Sequence, residues 1–168
     1  MFRTCRLAAV GLLLCAVSLA AAQDEKKEEK PKLSKDEQLV LDLTNEARAK
    51  MKLPPFKVNA LLGQAALAHN QNMAKQKKVE HVLDGKDPSN RADAVKYDWA
   101  SVNENLAWVD KNSRIKEMFE GWMKSKVHRE NILGDFEEIG VSVHEDKIKG
   151  GMGGFFFTQV FGTQRKKP

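Results

Sequence analysis

The stretch Gly154–Gly162, which reads GFFFTQVFG, decides the class of the fold. Between its two terminal glycines it holds four phenylalanines, a threonine and a valine, residue types that are enriched in β-strands. Upstream, Ile139–His144 alternates apolar residues with small or polar ones, which is the period of a strand with two different faces. The intervening residues Asp146–Gly154 contain four glycines and predict a turn, so the chain is expected to end in a β-hairpin.

Three amphipathic helices are predicted ahead of this hairpin. A capping box formed by Ser34 and Glu37 starts the first, Asn59 caps the second, and Ser113 caps the third. Apolar residues recur along each of them on one face. A short apolar run at Glu104–Val109 predicts one more strand. Helices that pack on a terminal hairpin place the chain in the α+β class.

Residues 1–22 have the three-part pattern of a secretory signal peptide. Two arginines precede the apolar run Leu7–Ala20, and Ala20–Ala22 offers small residues for cleavage before Gln23. The run is 14 residues long, whereas about 20 residues are needed to cross a membrane. An uncleaved anchor and a lipid anchor on Cys15 are the alternatives, although the residue before that cysteine is not small. We predict a secreted protein, extracellular or periplasmic, with no membrane span after cleavage.

The charge distribution divides the rest of the chain. The segment 23–35 holds five lysines and four acids and predicts a charged linker, and residues 164–168 form a basic tail. The whole chain carries a formal net charge of +5, but residues 36–163 hold 18 basic and 19 acidic side chains. A nearly neutral domain lacks the positive surface of a nucleic-acid-binding protein, so we expect no nucleic-acid partner. We also expect the domain 36–163 to be a monomer.

Both cysteines, Cys5 and Cys15, lie within the predicted signal peptide. An exported domain without cysteine has neither a disulfide nor a thiol nucleophile, and it offers no thiolate ligand to zinc. The chain also holds four histidines, and each of them, taken alone, is more often structural than functional. His69 is predicted to pack along the second helix, and His144 is predicted to be solvated.

Seven short motifs of the sequence resemble those of a known family. They are LTNEAR at 43–48, LPP at 53–55, LLGQAALAHNQNMA at 61–74, NENLA at 103–107, WMKSKVHRENIL at 122–133, IGV at 139–141 and TQVFG at 158–162. Their order and spacing resemble a bacterial CAP domain, of the superfamily of cysteine-rich secretory proteins, antigen 5 and pathogenesis-related 1. The resemblance spans residues 36–163 and implies an α-β-α sandwich, with a small central antiparallel sheet between helical layers.

The resemblance also implies a cleft lined by two histidines and two acids. The first histidine is similar in position to His81, the first acid to Glu104, and the second histidine to His128. The second acid of the family lies three residues after the helix tryptophan, where this sequence has Ser125. The chain therefore keeps one of the two carboxylates, which weakens any mechanism that needs both and removes a charge that would hold a divalent ion.

Two neutral imidazoles and one carboxylate can hold a zinc ion with an open coordination position, or polarise a water for hydrolysis. His81, His128 and Glu104 are accordingly the predicted metal ligands, and Zn²⁺ is the candidate metal. The same three residues and Ser125 are the weaker, catalytic candidates, and Ser125 qualifies as a nucleophile only if His128 contacts it. The more ordinary interpretation is that Ser125 closes the third helix and turns the chain towards His128. The third interpretation is architectural, with Glu104 orienting one histidine by a hydrogen bond and thereby stabilising the cleft.

The function that we favour is a secreted binding module without catalytic activity. Its cleft would hold a divalent metal or a small ligand, a lipid or a component of the cell envelope. The alternative is a metal-assisted, peptidase-like hydrolase that uses the same cleft. Metal content separates the two hypotheses, because a catalytic zinc site keeps its metal through purification.

Overall fold

Five helices and four strands form the part of the chain that the computed structural model describes, residues 31–146 and 153–166. In chain order they are α1 Lys35–Lys50, β1 Lys57–Val58, α2 Ala60–Gln76, α3 Pro88–Ala94, β2 Trp99–Asp110, α4 Ile115–Lys124, α5 Lys126–Ile132, β3 Glu138–Asp146 and β4 Gly154–Gln164. The two strands of the expected hairpin are β3 and β4, so the prediction of an α+β fold is confirmed. The short strand predicted at Glu104–Val109 lies within the longer β2.

The sheet has the strand order β1-β3-β4-β2. β4 pairs antiparallel with β3 on one side and with β2 on the other, which is the arrangement expected of the three long strands. β1 departs from the antiparallel prediction, because its two residues run parallel to Glu138–Ile139 of β3. The chain passes this edge of the sheet on its way into α2, and the amides of Lys57 and Asn59 donate to the carbonyls of Glu137 and Ile139.

The starts of the first two helices follow the predicted capping. At α1 the Ser34 side chain accepts from the Glu37 amide at 3.3 Å, and the Glu37 carboxylate accepts from the Ser34 amide at 2.8 Å. At α2 the Asn59 side chain accepts from the amides of the first two leucines of the helix. These bonds satisfy amides that a helix leaves without partners at its start.

The third predicted helix begins later in the structure than predicted, and it ends at Ser125, as expected. Ser113 does not cap it, because the Ser113 hydroxyl donates to Asp110 at 3.2 Å and α4 begins after Arg114. The helix then breaks at Ser125, whose φ of −76° and ψ of 126° are extended. Ser125 ends α4 and turns the chain into α5, which carries His128.

Side chains of β4 alternate between two apolar cores on opposite faces of the sheet. Phe157 and Phe161 belong to the larger core, which α1, α4 and α5 cover. Phe156 and Val160 point to the other face, where α2 and α3 cover two smaller clusters. The period of two along a strand produces this division. The expected α-β-α sandwich is confirmed, and its two helical layers meet at the edge strand β2.

Close contact between α2 and the sheet depends on a glycine. A Cβ added to Gly140 of β3 would lie 2.1 Å from the backbone carbon of Leu62 and 2.2 Å from the backbone nitrogen of Gly63. No side chain fits at that position, so the first turn of α2 rests directly on β3. The alanine-rich face of α2 predicts such a close approach, and the structure confirms it.

Some predictions fall on residues that the structure does not describe. The signal peptide, residues 1–22, lies wholly outside the described ranges, and so do 23–30 of the linker and 167–168 of the tail. Within the described ranges, no helix has the length and apolarity that a membrane crossing requires.

Candidate functional site

The candidate site is built on the buried carboxylate of Glu104. Glu104 lies in the first half of β2, and its side chain is 0% exposed. Its Oε1 accepts from Arg91 Nη2 at 2.7 Å and from His81 Nδ1 at 2.8 Å. The guanidinium balances the charge of the carboxylate, which a buried ion requires. The carboxylate therefore already has a cationic partner before any ligand arrives.

His81 stands above this carboxylate, in the loop that joins α2 to α3. Its side chain is 53% exposed. Because a carboxylate only accepts hydrogen bonds, the Nδ1 atom of His81 carries the proton that bonds Glu104 in the neutral ring. The lone pair then lies on Nε2, at the opposite end of the imidazole. The structure thus brings His81 and Glu104 together, as the resemblance implies.

His128 lies on α5, in the other helical layer, where its backbone carbonyl accepts from the side chain of Asn105, the neighbour of Glu104 in β2, at 3.1 Å. Its half-buried ring lies 6.2 Å from the ring of Trp122, centroid to centroid. Burial lowers the pKa of His128, and the charge of nearby His81 lowers it further. The lowered pKa favours a neutral imidazole, whose nitrogen lone pair is available to a ligand.

Side chains near the ends of α4 and α5 donate hydrogen bonds to the edge strand β2. Trp122 Nε1 donates to the Leu106 carbonyl at 3.0 Å. Asn131 Nδ2 donates to the Glu104 carbonyl at 3.2 Å and to Asn105 Oδ1 at 2.9 Å. These side chains occupy backbone groups that an edge strand otherwise exposes, and they hold α5, with its histidine, beside Glu104.

Two residues that the predicted site omits lie against Glu104. One is Arg91, already described. The other is His69 of α2, which is 1% exposed, with Nε2 at 3.7 Å from Glu104 Oε1 and at 3.0 Å from the Glu80 carbonyl. Burial lowers the pKa of His69 more than the charge of Glu104 raises it. The signal for His69 was its place on the buried face of α2, between Ala66 and Met73.

Ser125 lies between α4 and α5, and it is half-buried. Its backbone amide donates to the Gly121 and Trp122 carbonyls at 3.1 and 3.2 Å. Among the described residues, no hydrogen bond joins the Ser125 hydroxyl to His128. Its position at the break between the helices is the architectural role that the sequence also allows.

The three predicted metal ligands fit a metal ion only in part. Oε1 of Glu104 is engaged by Arg91 and His81, and Oε2 is a buried atom without a hydrogen-bond partner among the described residues. Within residues 31–146 and 153–166, no group of three or more histidine, cysteine or acidic side chains is placed to hold a metal. The two imidazoles remain the groups of this set that a ligand from solvent can reach.

Fold and site define a CAP domain, and a sequence comparison agrees. The family model described as CAP, the cysteine-rich secretory protein family, matches residues 41–161. The chain belongs to this family. Among curated proteins it is similar to the uncharacterized protein YkwD of Bacillus subtilis strain 168, with 30% identity over 127 residues. That alignment covers 74% of this chain and 46% of the relative, so the chain spans about half of the length of the relative.

Solved structures show the same fold. An extracellular protein containing an SCP domain from Bacillus anthracis is 25% identical, with a TM-score of 0.66 over 80% of this chain and 45% of that one. An outer surface protein from Borrelia burgdorferi is 20% identical, with a TM-score of 0.69 over 82% of this chain and 98% of that one. At these identities the second likeness supports the fold alone.

Proposed function

We propose that this CAP protein is an exported binding module without catalytic activity, and that His81 and His128 make the polar contacts to its ligand. The observation that carries the proposal is the hydrogen bond from His81 Nδ1 to the buried Glu104 carboxylate. It fixes the ring orientation and leaves Nε2 available at a half-exposed position. Histidines that bind a metal in proteins are commonly oriented by such a carboxylate.

Glu104 acts in this proposal through His81 rather than as a ligand. A direct ligand needs an oxygen that points to the metal, whereas Glu104 Oε1 already accepts from two donors and Oε2 is buried. Two neutral imidazoles suit a divalent transition metal, and two protein ligands form a site of modest affinity. Zn²⁺ is accordingly a suitable probe of the cleft, which would also accept another small ligand or a cell-envelope component.

The buried charge pair favours binding over hydrolysis. A carboxylate acting as a general base must reach the water or hydroxyl that it activates. The Glu104 side chain is 0% exposed and its charge is balanced by Arg91, so this carboxylate orients His81 instead of contacting a substrate. The peptidase-like hydrolase, with Ser125 or a metal-bound water as nucleophile, remains the alternative prediction, and a metal that copurifies in equal amount with the protein would support it.

Export is the second part of the proposal. The pattern of residues 1–22 supports it, and so does the description of the Bacillus anthracis structure as an extracellular protein. A module outside the cytoplasm has access to envelope components and to exchangeable metal ions, which is consistent with a cleft of two imidazoles.

Calorimetric titration with Zn²⁺ tests the cleft. The wild type and a His144→Ala control should bind one ion each, since His144 lies in β3, outside the cleft. The His81→Ala, His128→Ala double variant should not bind measurably. Affinity should weaken at acidic pH, because a protonated imidazole has no lone pair for the ion, and burial, which lowers the pKa of His128, places the protonation of that ring below about pH 6.5. Equal affinity in the double variant, or no binding by the wild type, would contradict the proposed cleft.

A further inference from the structure

The guanidinium of Arg91 joins both ends of the loop segment that carries His81. Nη2 donates to the His81 carbonyl at 3.0 Å and to Glu104 Oε1 at 2.7 Å, and Nη1 donates to the Lys86 carbonyl at 2.8 Å. The same oxygen of Glu104 accepts from the His81 ring at 2.8 Å. Arg91 therefore restrains His81 twice, once through its backbone and once through the carboxylate below its ring.

Other contacts hold the tip of this loop, and His69 Nε2 lies 3.0 Å from the carbonyl of Glu80, the residue before His81. Asp84 and Gly85 turn the chain with positive φ angles of 53° and 69°. The Asp84 carboxylate accepts from Gln76 of α2 at 3.0 Å, and Leu83 is buried. The hydrogen bonds described for the ring and the carbonyl of His81 go to Glu104 and Arg91. The position of the imidazole consequently depends on these two residues.

Arg91 is itself held in place by its burial and by the helix that carries it. It is 8% exposed, in the last turn of α3, whose start is closed by a capping box between Asp87 and Asn90. The next residue, Ala92, is fully buried in the core between α2 and the sheet. A planar guanidinium with several donors can serve three acceptors at once, whereas a lysine ammonium cannot match that geometry.

We propose that Arg91 is a positioning residue of the cleft. By binding the His81 carbonyl, the Lys86 carbonyl and Glu104 together, it sets where His81 Nε2 stands and keeps the ring proton on Nδ1. The inference rests on the proposed function, in which His81 contacts the ligand. Loss of a residue that orients a metal-binding histidine typically weakens metal affinity by about 10- to 100-fold.

The test compares Arg91→Lys with Arg48→Lys, a matched control. Arg48 is another buried arginine, 2% exposed, that uses its guanidinium to bind several backbone carbonyls, those of Pro54, Ile132 and Gly134. Both variants lose guanidinium hydrogen bonds to backbone carbonyls, so both should melt at lower temperature, and Arg91→Lys also changes the pairing with Glu104. Only Arg91→Lys removes contacts to His81. If it does not fold, the double variant Arg91→Gln, Glu104→Gln, which leaves no unpaired charge of this pair, is compared with Glu104→Gln instead.

Two measurements are made on each protein. With Zn²⁺ as the probe, Arg91→Lys should bind at least about 10-fold more weakly than Arg48→Lys. Nitrogen-15 NMR of the imidazole should show His81 with its proton on Nδ1 in the wild type and in Arg48→Lys, and a mixture of tautomers in Arg91→Lys. An unchanged tautomer in Arg91→Lys, with the affinity of the control, overturns the inference. If the wild type binds no Zn²⁺, the proposed function fails, and the tautomers still decide the role of Arg91.

Discussion

The Glu104 carboxylate is the side chain of the site whose loss should destabilise the protein most. Replacing it with glutamine leaves Arg91, whose side chain is 9% exposed, as a buried cation without an anion. We expect Glu104→Gln to lower the free energy of unfolding by about 3 kcal/mol or more. Urea denaturation measures this. The control Glu46→Gln breaks an exposed pair with Lys50 and should change little. If Glu104→Gln left the free energy of unfolding unchanged, the carboxylate would not be bound to Arg91 and His81.

His69 should make the stability of the protein depend on pH. Burial lowers its pKa in the folded state below the ordinary value of 6.5. The unfolded chain therefore binds a proton at this histidine more readily than the folded protein does. The free energy of unfolding is consequently highest above about pH 6.5 and decreases as the pH falls below that value. For one group the slope reaches at most about 1.4 kcal/mol per pH unit.

The measurement for His69 is denaturant unfolding of wild type, His69→Gln and a His144→Gln control at about pH 7.5 and about pH 5.5. His69→Gln should lose less stability between the two than the wild type does. His144→Gln should behave as the wild type. Because burial also lowers the pKa of His128, some dependence should remain in His69→Gln. A His69→Gln protein with the full dependence of the wild type would refute the assignment.

At the scale of elements, the contact of α2 with β3 gives a paired prediction. Gly140→Ala places a Cβ 2.1 Å from the backbone of Leu62, and it should destabilise the protein by about 1–3 kcal/mol or more. Gly63→Ala, in the facing turn of α2, has open space around its Cβ and should stabilise by about 0.5–1 kcal/mol. Thermal or chemical melts of both variants check the pair. Similar effects of the two substitutions would mean that α2 does not rest on Gly140.

The link between α4 and β2 depends on both the packing and the N–H group of Trp122. Trp122→Ala removes a buried ring from the larger core and should cost about 3–5 kcal/mol. Trp122→Phe keeps most of the packing but leaves the buried Leu106 carbonyl without its donor, at a cost of about 1–3 kcal/mol. Denaturant melts should therefore rank the wild type above Trp122→Phe, and Trp122→Phe above Trp122→Ala. A Trp122→Ala variant with the free energy of unfolding of the wild type would contradict the described core.

Local sequence signals predicted the elements that depend on local physics. The capping of α1 and α2, the hairpin of β3 and β4 and the break at Ser125 follow from residues close in sequence. The parallel strand β1 did not, because its pairing depends on where a distant strand passes. His69 escaped the predicted site, and the sequence shows only that Arg91 could reach an acid of the cleft, because a helix pattern shows a buried face but not which carboxylate lies opposite.

At the scale of the whole molecule, the signal peptide is the prediction with the sharpest readout. Cleavage after Ala22 should yield an exported protein that begins near Gln23. The intact mass of the exported material measures this directly. A mass that retains residues 1–22, or one that includes a lipid on Cys15, would contradict cleavage at that site.

The loop between α2 and α3 contributes His81 and α5 contributes His128, and ligand binding in the proposed cleft depends on how these two rings present their nitrogens. The most direct measurement is nitrogen-15 NMR of the four imidazoles near neutral pH, before and after addition of Zn²⁺. We predict that His81 carries its proton on Nδ1, and that Zn²⁺ shifts the signals of His81 and His128 together while His144 stays unchanged. A proton on Nε2 of His81, or a titration in which neither cleft histidine responds, would contradict the account.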